Sequence, residues 1–102
     1  MTRYVIVMPG RLYQGMRALG AIEDAAIPQE AKKAFEDATE RRRGRGSTYT
    51  VVGSQRALRE VLEVLKELVQ EMDGGVGPAR DLGVDSTQLR AAARQALLPY
   101  QG

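Results

Sequence analysis

The segment from Gln55 to Met72 constrains the fold more than any other part of the chain. Leu58, Leu62, Leu65, Val69 and Met72 recur at alternating steps of four and three, and Val61, Val64 and Leu68 widen the stripe. A helix with so broad an apolar face must be largely buried, in its own core or against a partner. Ser54 stands where an N-cap belongs, and Asp73-Gly74-Gly75 supplies a stop. At 102 residues, one domain is the default.

Two short apolar runs read as strands. Tyr4-Val5-Ile6-Val7-Met8 ends at Pro9-Gly10 and is apolar on both faces, as a strand covered on both sides would be. Tyr49-Thr50-Val51-Val52 reads as the second. The two align, and each precedes an amphipathic helix. Two β-α units explain the likeness better than a true repeat, because the helical residues do not match. Between the strands, Leu12, Met16, Leu19 and Ile22 keep helical spacing, with Gly15 and Gly20 either weakening that helix or permitting close packing. Pro28 opens a further helix with Glu30 in its first turn and a stripe of Ile27, Ala31, Ala34, Phe35 and Ala38. This helix is expected to run to Arg41-Arg42-Arg43 and stop at Gly44. Pro78 to Leu98 divides into two short helical pieces around Gly83-Val84-Asp85.

The expected fold class is α/β (α+β): a small, helix-rich single domain in the order β-α-α-β-α-α with few strands. Two strands make a poor sheet. A third short strand, or strand pairing between two copies, is therefore expected, and with it a homodimer.

The residue types narrow the chemistry. There is no Cys and no His. Thiolate metal sites, disulfides and Cys nucleophiles are excluded, and the commonest general base and metal ligand is missing. The chain is expected to work by contact, with no enzymatic activity, no cofactor and no metal. No apolar run reaches the ~18 residues a bilayer span needs. Met1-Thr2-Arg3-Tyr4 leads straight into the first strand without a signal peptide's apolar stretch, so a cytoplasmic location is expected. Twelve of the fifteen basic residues are Arg and there is no Asn, a bias that points to GC-rich bacterial or phage coding.

The formal charge is +2, yet residues 41 to 46 hold four Arg and no acid, so the rest of the chain is net acidic. Arg41, Arg42, Arg43 and Arg45, with Gly44 and Gly46, read as a basic loop over 41–47. Guanidinium groups suit phosphate, which makes these four residues nucleic-acid-binding candidates. Cations at a helix C-terminus also complement the macrodipole with no ligand at all.

A second candidate lies in Pro78-Ala79-Arg80-Asp81-Leu82-Gly83-Val84-Asp85-Ser86-Thr87-Gln88-Leu89-Arg90-Ala91-Ala92. Over about fifteen residues it resembles the helix-turn-helix motif of bacterial and phage repressors. Ala79 stands at the small position where the helices approach, Gly83 at the turn, and Val84 and Leu89 at the aliphatic positions. Gly74, Gly75, Gly77 and Pro78 depart from that pattern by leaving little room for a full first helix. The resemblance implies a DNA-binding, transcription-regulating function. It would make the second helix the recognition helix, with Ser86, Thr87, Gln88 and Arg90 facing the groove. An ordinary helical hairpin with Gly83 as its stop explains the same residues. Arg3 to Leu12 also resembles the opening of ribbon-helix-helix repressors, although neither face of that strand suits a base edge.

The competing class is a protein-interaction module docking through its amphipathic helix. Gly74-Gly75-Val76-Gly77 follows a helix and lacks the Gly-Lys-Ser/Thr of a phosphate loop. Glu60, Glu63, Glu67 and Glu71 interleave with Arg56, Arg59 and Lys66, as on a solvated ion-pair face. Tyr4, Tyr13, Tyr49 and Tyr100 are expected in the core or at a dimer seam, since the chain has one Phe and no Trp.

Overall fold

The computed structural model describes residues 2–75 and 77–101. Strand β1, Tyr4–Pro9, runs directly into helix α1, Gly10–Leu19. Helix α2, Gln29–Glu36, follows Pro28 at its N-cap. Strands β2, Thr39–Arg43, and β3, Gly46–Gly53, form a hairpin. Helix α3 spans Gln55–Gly74, a 3-10 turn covers Pro78–Asp81, α4 is Ser86–Arg94 and β4 is Leu98–Pro99.

The four strands form one antiparallel sheet in the order β2-β3-β1-β4. The two runs that align in the sequence are its central strands, with Ile6 opposite Val51 and Val5 opposite Val52. Each β-α unit crosses over its neighbour's strand before adding its own edge strand. The result is the β-α-β-β-α-β split arrangement, a small mixed α+β domain.

All helices lie on one face. Ile6, Met8 and Val51 point into that layer and are buried with Leu12, Met16, Phe35, Leu58, Leu65 and Leu89. The stripe of α3 is in this core: Leu58, Val61, Leu62, Val64, Leu65 and Leu68 are all buried. The covering layer for α3 is therefore supplied by the chain itself. Ser54 caps α3 as the sequence predicts, its Oγ accepting from the Ala57 N–H at 3.1 Å, and Gly75 closes it in the left-handed region at φ 69°. Gly15 does permit a close approach: a Cβ there would sit 2.5 Å from the Leu82 carbonyl oxygen.

Two expectations are corrected. The helix from Pro28 does not reach the arginines. It ends at Glu36, and residues 39–43 form β2 instead. Beyond Ala38 the segment offers no apolar residue to bury, whereas its backbone can pair with β3 from Thr39↔Thr50 to Arg43↔Gly46. Pairing therefore overrides helix propensity. The second correction concerns strand number. β2 and β4 complete the sheet within the chain, so the argument from too few strands no longer calls for a second copy.

Candidate functional site

The basic segment is a β-hairpin edge, not a loop. Arg43 pairs with Gly46, leaving Gly44 and Arg45 as a two-residue turn. Gly44 takes φ 58°, as the first central residue of a II′ hairpin turn must. No helix C-terminus lies at Arg41–Arg43, so a macrodipole role for them falls away.

Strand alternation then sorts the three arginines of β2, Arg45 lying in the turn. Arg41 and Arg43 share the parity of Thr39. Across the register Arg41 stands opposite Thr48, Thr39 opposite Thr50 and Arg43 opposite Gly46, and one strand further lie Pro9 beside Thr48 and Val7 beside Thr50. These residues form the face opposite the helices. Arg42 and Glu40 have the other parity. Glu40 accepts from the Tyr49 hydroxyl at 2.8 Å and from Arg42 Nε at 3.0 Å, and these bonds hold its carboxyl below the usual carboxylate range. Tyr49 stacks on Tyr13 at 4.0 Å between ring centroids, and Tyr13 packs on Phe35 at 4.5 Å. Burial pushes the Tyr13 phenol up, and its hydroxyl donates to the Phe35 carbonyl at 2.6 Å. These three rings fasten the hairpin to the core; of the four tyrosines expected in the core or at a dimer seam, Tyr13 is buried, Tyr4 and Tyr49 are half-buried and Tyr100 is exposed.

The opposite sheet face carries no helix among the described residues, so β1 is covered on one side and not on both as its two apolar faces suggest, and Val7 stands exposed on the open one. Among the described residues Glu40 is the only acid in a strand and it points away from this face, so the described outward strand residues include no carboxylate. Arg41, Arg43, Thr48, Thr50 and Val7 line a shallow depression of about 300 Å³ on it. Apolar surface continues toward β4. Leu98 pairs with Val5, and the Tyr100 N–H donates to the Arg3 carbonyl, so alternation puts Leu98 and Tyr100 on the side of Val7. Val7, Leu98 and Tyr100 are 45%, 62% and 44% exposed, and they are the large hydrophobic residues most open to solvent among those described. The sequence had not singled out Thr48 or Thr50, and the face of Val5 and Val7 is one of the two set aside above as unsuited to a base edge. The signal available was the alternation in β3, where Thr48 and Thr50 interleave with Tyr49 and Val51.

The second candidate set lies elsewhere. In the turn before α4, Ala79 and Leu82 are buried, Gly83 takes φ 78°, and Leu89 is fully buried. The piece before Gly83 is a four-residue 3-10 turn rather than a first helix. Ser86 and Thr87 are exposed on α4. Gln88 completes a capping box, its Oε1 accepting from the Asp85 N–H while its own N–H donates to Asp85 Oδ1 at 2.8 Å. Arg90 pairs with Asp73. Helix α4 belongs to the helical layer and leads into β4, at the sheet edge opposite β2. The structure does not bring Ser86, Thr87, Gln88 and Arg90 together with the arginines of the hairpin.

On the α3 surface, Lys66 pairs with Glu63 at 3.1 Å. No helix among the described residues is long and apolar enough to cross a membrane.

Fold and surface together define a class: a split β-α-β sheet with helices on one side and an open, cationic and partly apolar face on the other. No protein-family model matches the chain, and neither a curated protein nor a solved structure matches it.

Proposed function

We propose that this chain is a non-enzymatic nucleic-acid-binding protein, and that its contact surface is the β2–β3 hairpin with the uncovered sheet face beside it. The observation that carries the proposal is the segregation of charge. Four of the fifteen basic residues stand in one exposed hairpin while the rest of the chain is net acidic, and two of the four, Arg41 and Arg43, project onto a face whose described strand residues carry no carboxylate. Guanidinium forks bind phosphate oxygens bidentately, and Thr hydroxyls beside them can donate as well. A two-stranded ribbon is also one of the two shapes that fit a major groove. Arg42 is left out of the contact set because its parity turns it from that face to the side of Glu40, with which it pairs.

No base contact is assigned to α4, because Gln88 and Arg90 would first have to leave Asp85 and Asp73. Docking of a protein through the apolar stripe of α3 is not proposed either, since that stripe is buried in the core.

The test is fluorescence anisotropy with a labelled oligonucleotide across a salt series. Each phosphate contact on a duplex contributes a slope of about −0.9 in log K against log salt. The double variant Arg41→Gln, Arg43→Gln should bind more weakly, with a slope shallower by about 1 to 2. Affinity and slope unchanged in that variant would remove the hairpin from the interface. An affinity indifferent to salt would end the proposal.

A further inference from the structure

We infer that the nucleic acid accommodated on the open sheet face is single-stranded, with one nucleotide seated in the depression formed by Val7, Arg41, Arg43, Thr48 and Thr50. The inference rests on the nucleic-acid reading above and names its substrate class. Across the depression the cations stand on one side and the apolar group on the other: Arg41 and Arg43 rise from β2, the two Thr come from β3 between, and Val7 comes from β1. A ligand that uses all of them must present an anion and a flat apolar surface within a few ångströms of each other. An unstacked nucleotide does so, with its phosphate on the guanidiniums and its base face on Val7 and the Thr methyl groups.

Other occupants use less of the surface. A duplex hides its base faces in the stack and presents phosphates and base edges only. It would engage the hairpin arginines but leave Val7 45% exposed in water. A four-stranded face is about 19 Å across at ~4.8 Å per strand, too broad for a major groove about 12 Å wide. A second copy stacked on this face would cover only ~400 Å² per chain, about half of what a standard interface needs. It would also bring no carboxylate to Arg41 or Arg43, because the described outward strand residues carry none. An acidic amphipathic helix can offer anions and apolar groups, but it is convex and needs a groove, and here there is only a shallow depression.

The experiment compares a twelve-nucleotide oligo-dT with a twelve-base-pair dA·dT duplex at one salt concentration, on the wild-type chain and on Val7→Glu. The single strand should bind at least tenfold tighter than the duplex. Val7→Glu, which puts a carboxylate in place of the apolar contact on β1 opposite Thr50, should weaken single-strand binding about tenfold and so remove most of that preference. Circular dichroism checks that the variant folds. Should it not fold, photo-cross-linking of bromouracil-substituted oligo-dT to the wild-type chain reads the same site, with adducts expected on β1 and β3. Equal or tighter duplex binding, loss of duplex and single-strand binding in equal measure, or adducts confined to α4 would overturn the inference. Dependence on Arg41 and Arg43 would in that case still uphold nucleic-acid binding. Displacement of oligo-dT by a Glu/Leu-patterned helical peptide at lower concentration than by unlabelled oligo-dT would assign the face to a protein partner instead.

Discussion

Tyr13 sits where the hairpin's anchoring meets the core. It is 2% exposed, stacks on Tyr49, packs on Phe35 and donates its hydroxyl to the Phe35 carbonyl. Burial disfavours the phenolate, so its pKa in the folded chain lies above the ordinary value near 10.0. A raised pKa means that folding favours the protonated form. The stabilisation is complete below the unfolded value and is lost as pH rises through the folded one. Thermal melts should therefore show no pH dependence from Tyr13 near neutrality and a decline above pH ~10. Tyr13→Phe should cost about 1 kcal/mol at pH 7 through the lost hydrogen bond and should flatten that alkaline decline. An equally steep decline in Tyr13→Phe would show that this phenol is not the group responsible.

At the scale of elements, the sheet's second edge is closed by a side chain. β4 pairs only with Tyr4 and Val5. Beyond it, Gln95 takes over: its Nε2 donates to the Val7 carbonyl and its Oε1 accepts from the Val7 N–H, both at 2.9 Å. Its Nε2 also donates to the Ala92 carbonyl at 3.0 Å, which ties the end of α4 to β1. One amide thus imitates a strand partner and blunts an edge that another chain could otherwise extend. Gln95→Glu keeps the size but cannot donate, and it brings a carboxylate against two carbonyl oxygens. We expect it to destabilise the fold by about 1 to 2 kcal/mol in urea unfolding, and more than Gln95→Met does. Equal stability of Gln95→Glu and the parent would refute this role.

Legibility in the sequence divides along the same elements. β1, β3 and α3 with its Ser54 cap were readable, because their apolar periodicity and their stops coincide. β2 was not, because all five of its residues are exposed and charged or polar, so no alternation marks it; only its partner β3 makes it a strand. β4 was not, because two residues carry no period. The arginines of the candidate site were evident from charge alone. Which of them share a face, and that Val7 joins them, depends on register, and register is a property of pairing between distant segments.

At the scale of the molecule, the sheet divides the chain into two surfaces of different character. One side holds the core and every helix, including the stripe of α3 that had suggested a docking surface. The other side leaves Val7, Leu98 and Tyr100 open next to Arg41 and Arg43. Cations and exposed apolar groups meet there with no carboxylate among the described strand residues of that face, and that coincidence is what the functional proposal stands on. The most direct test is residue-resolved: amide and methyl chemical shifts of the labelled chain during titration with oligo-dT. The account predicts that the changes gather on Val7, Arg41, Arg43, Thr48 and Thr50 and leave Ser86, Thr87 and the exposed side of α4 still. Shifts concentrated on α4, with the sheet face silent at saturation, would contradict it.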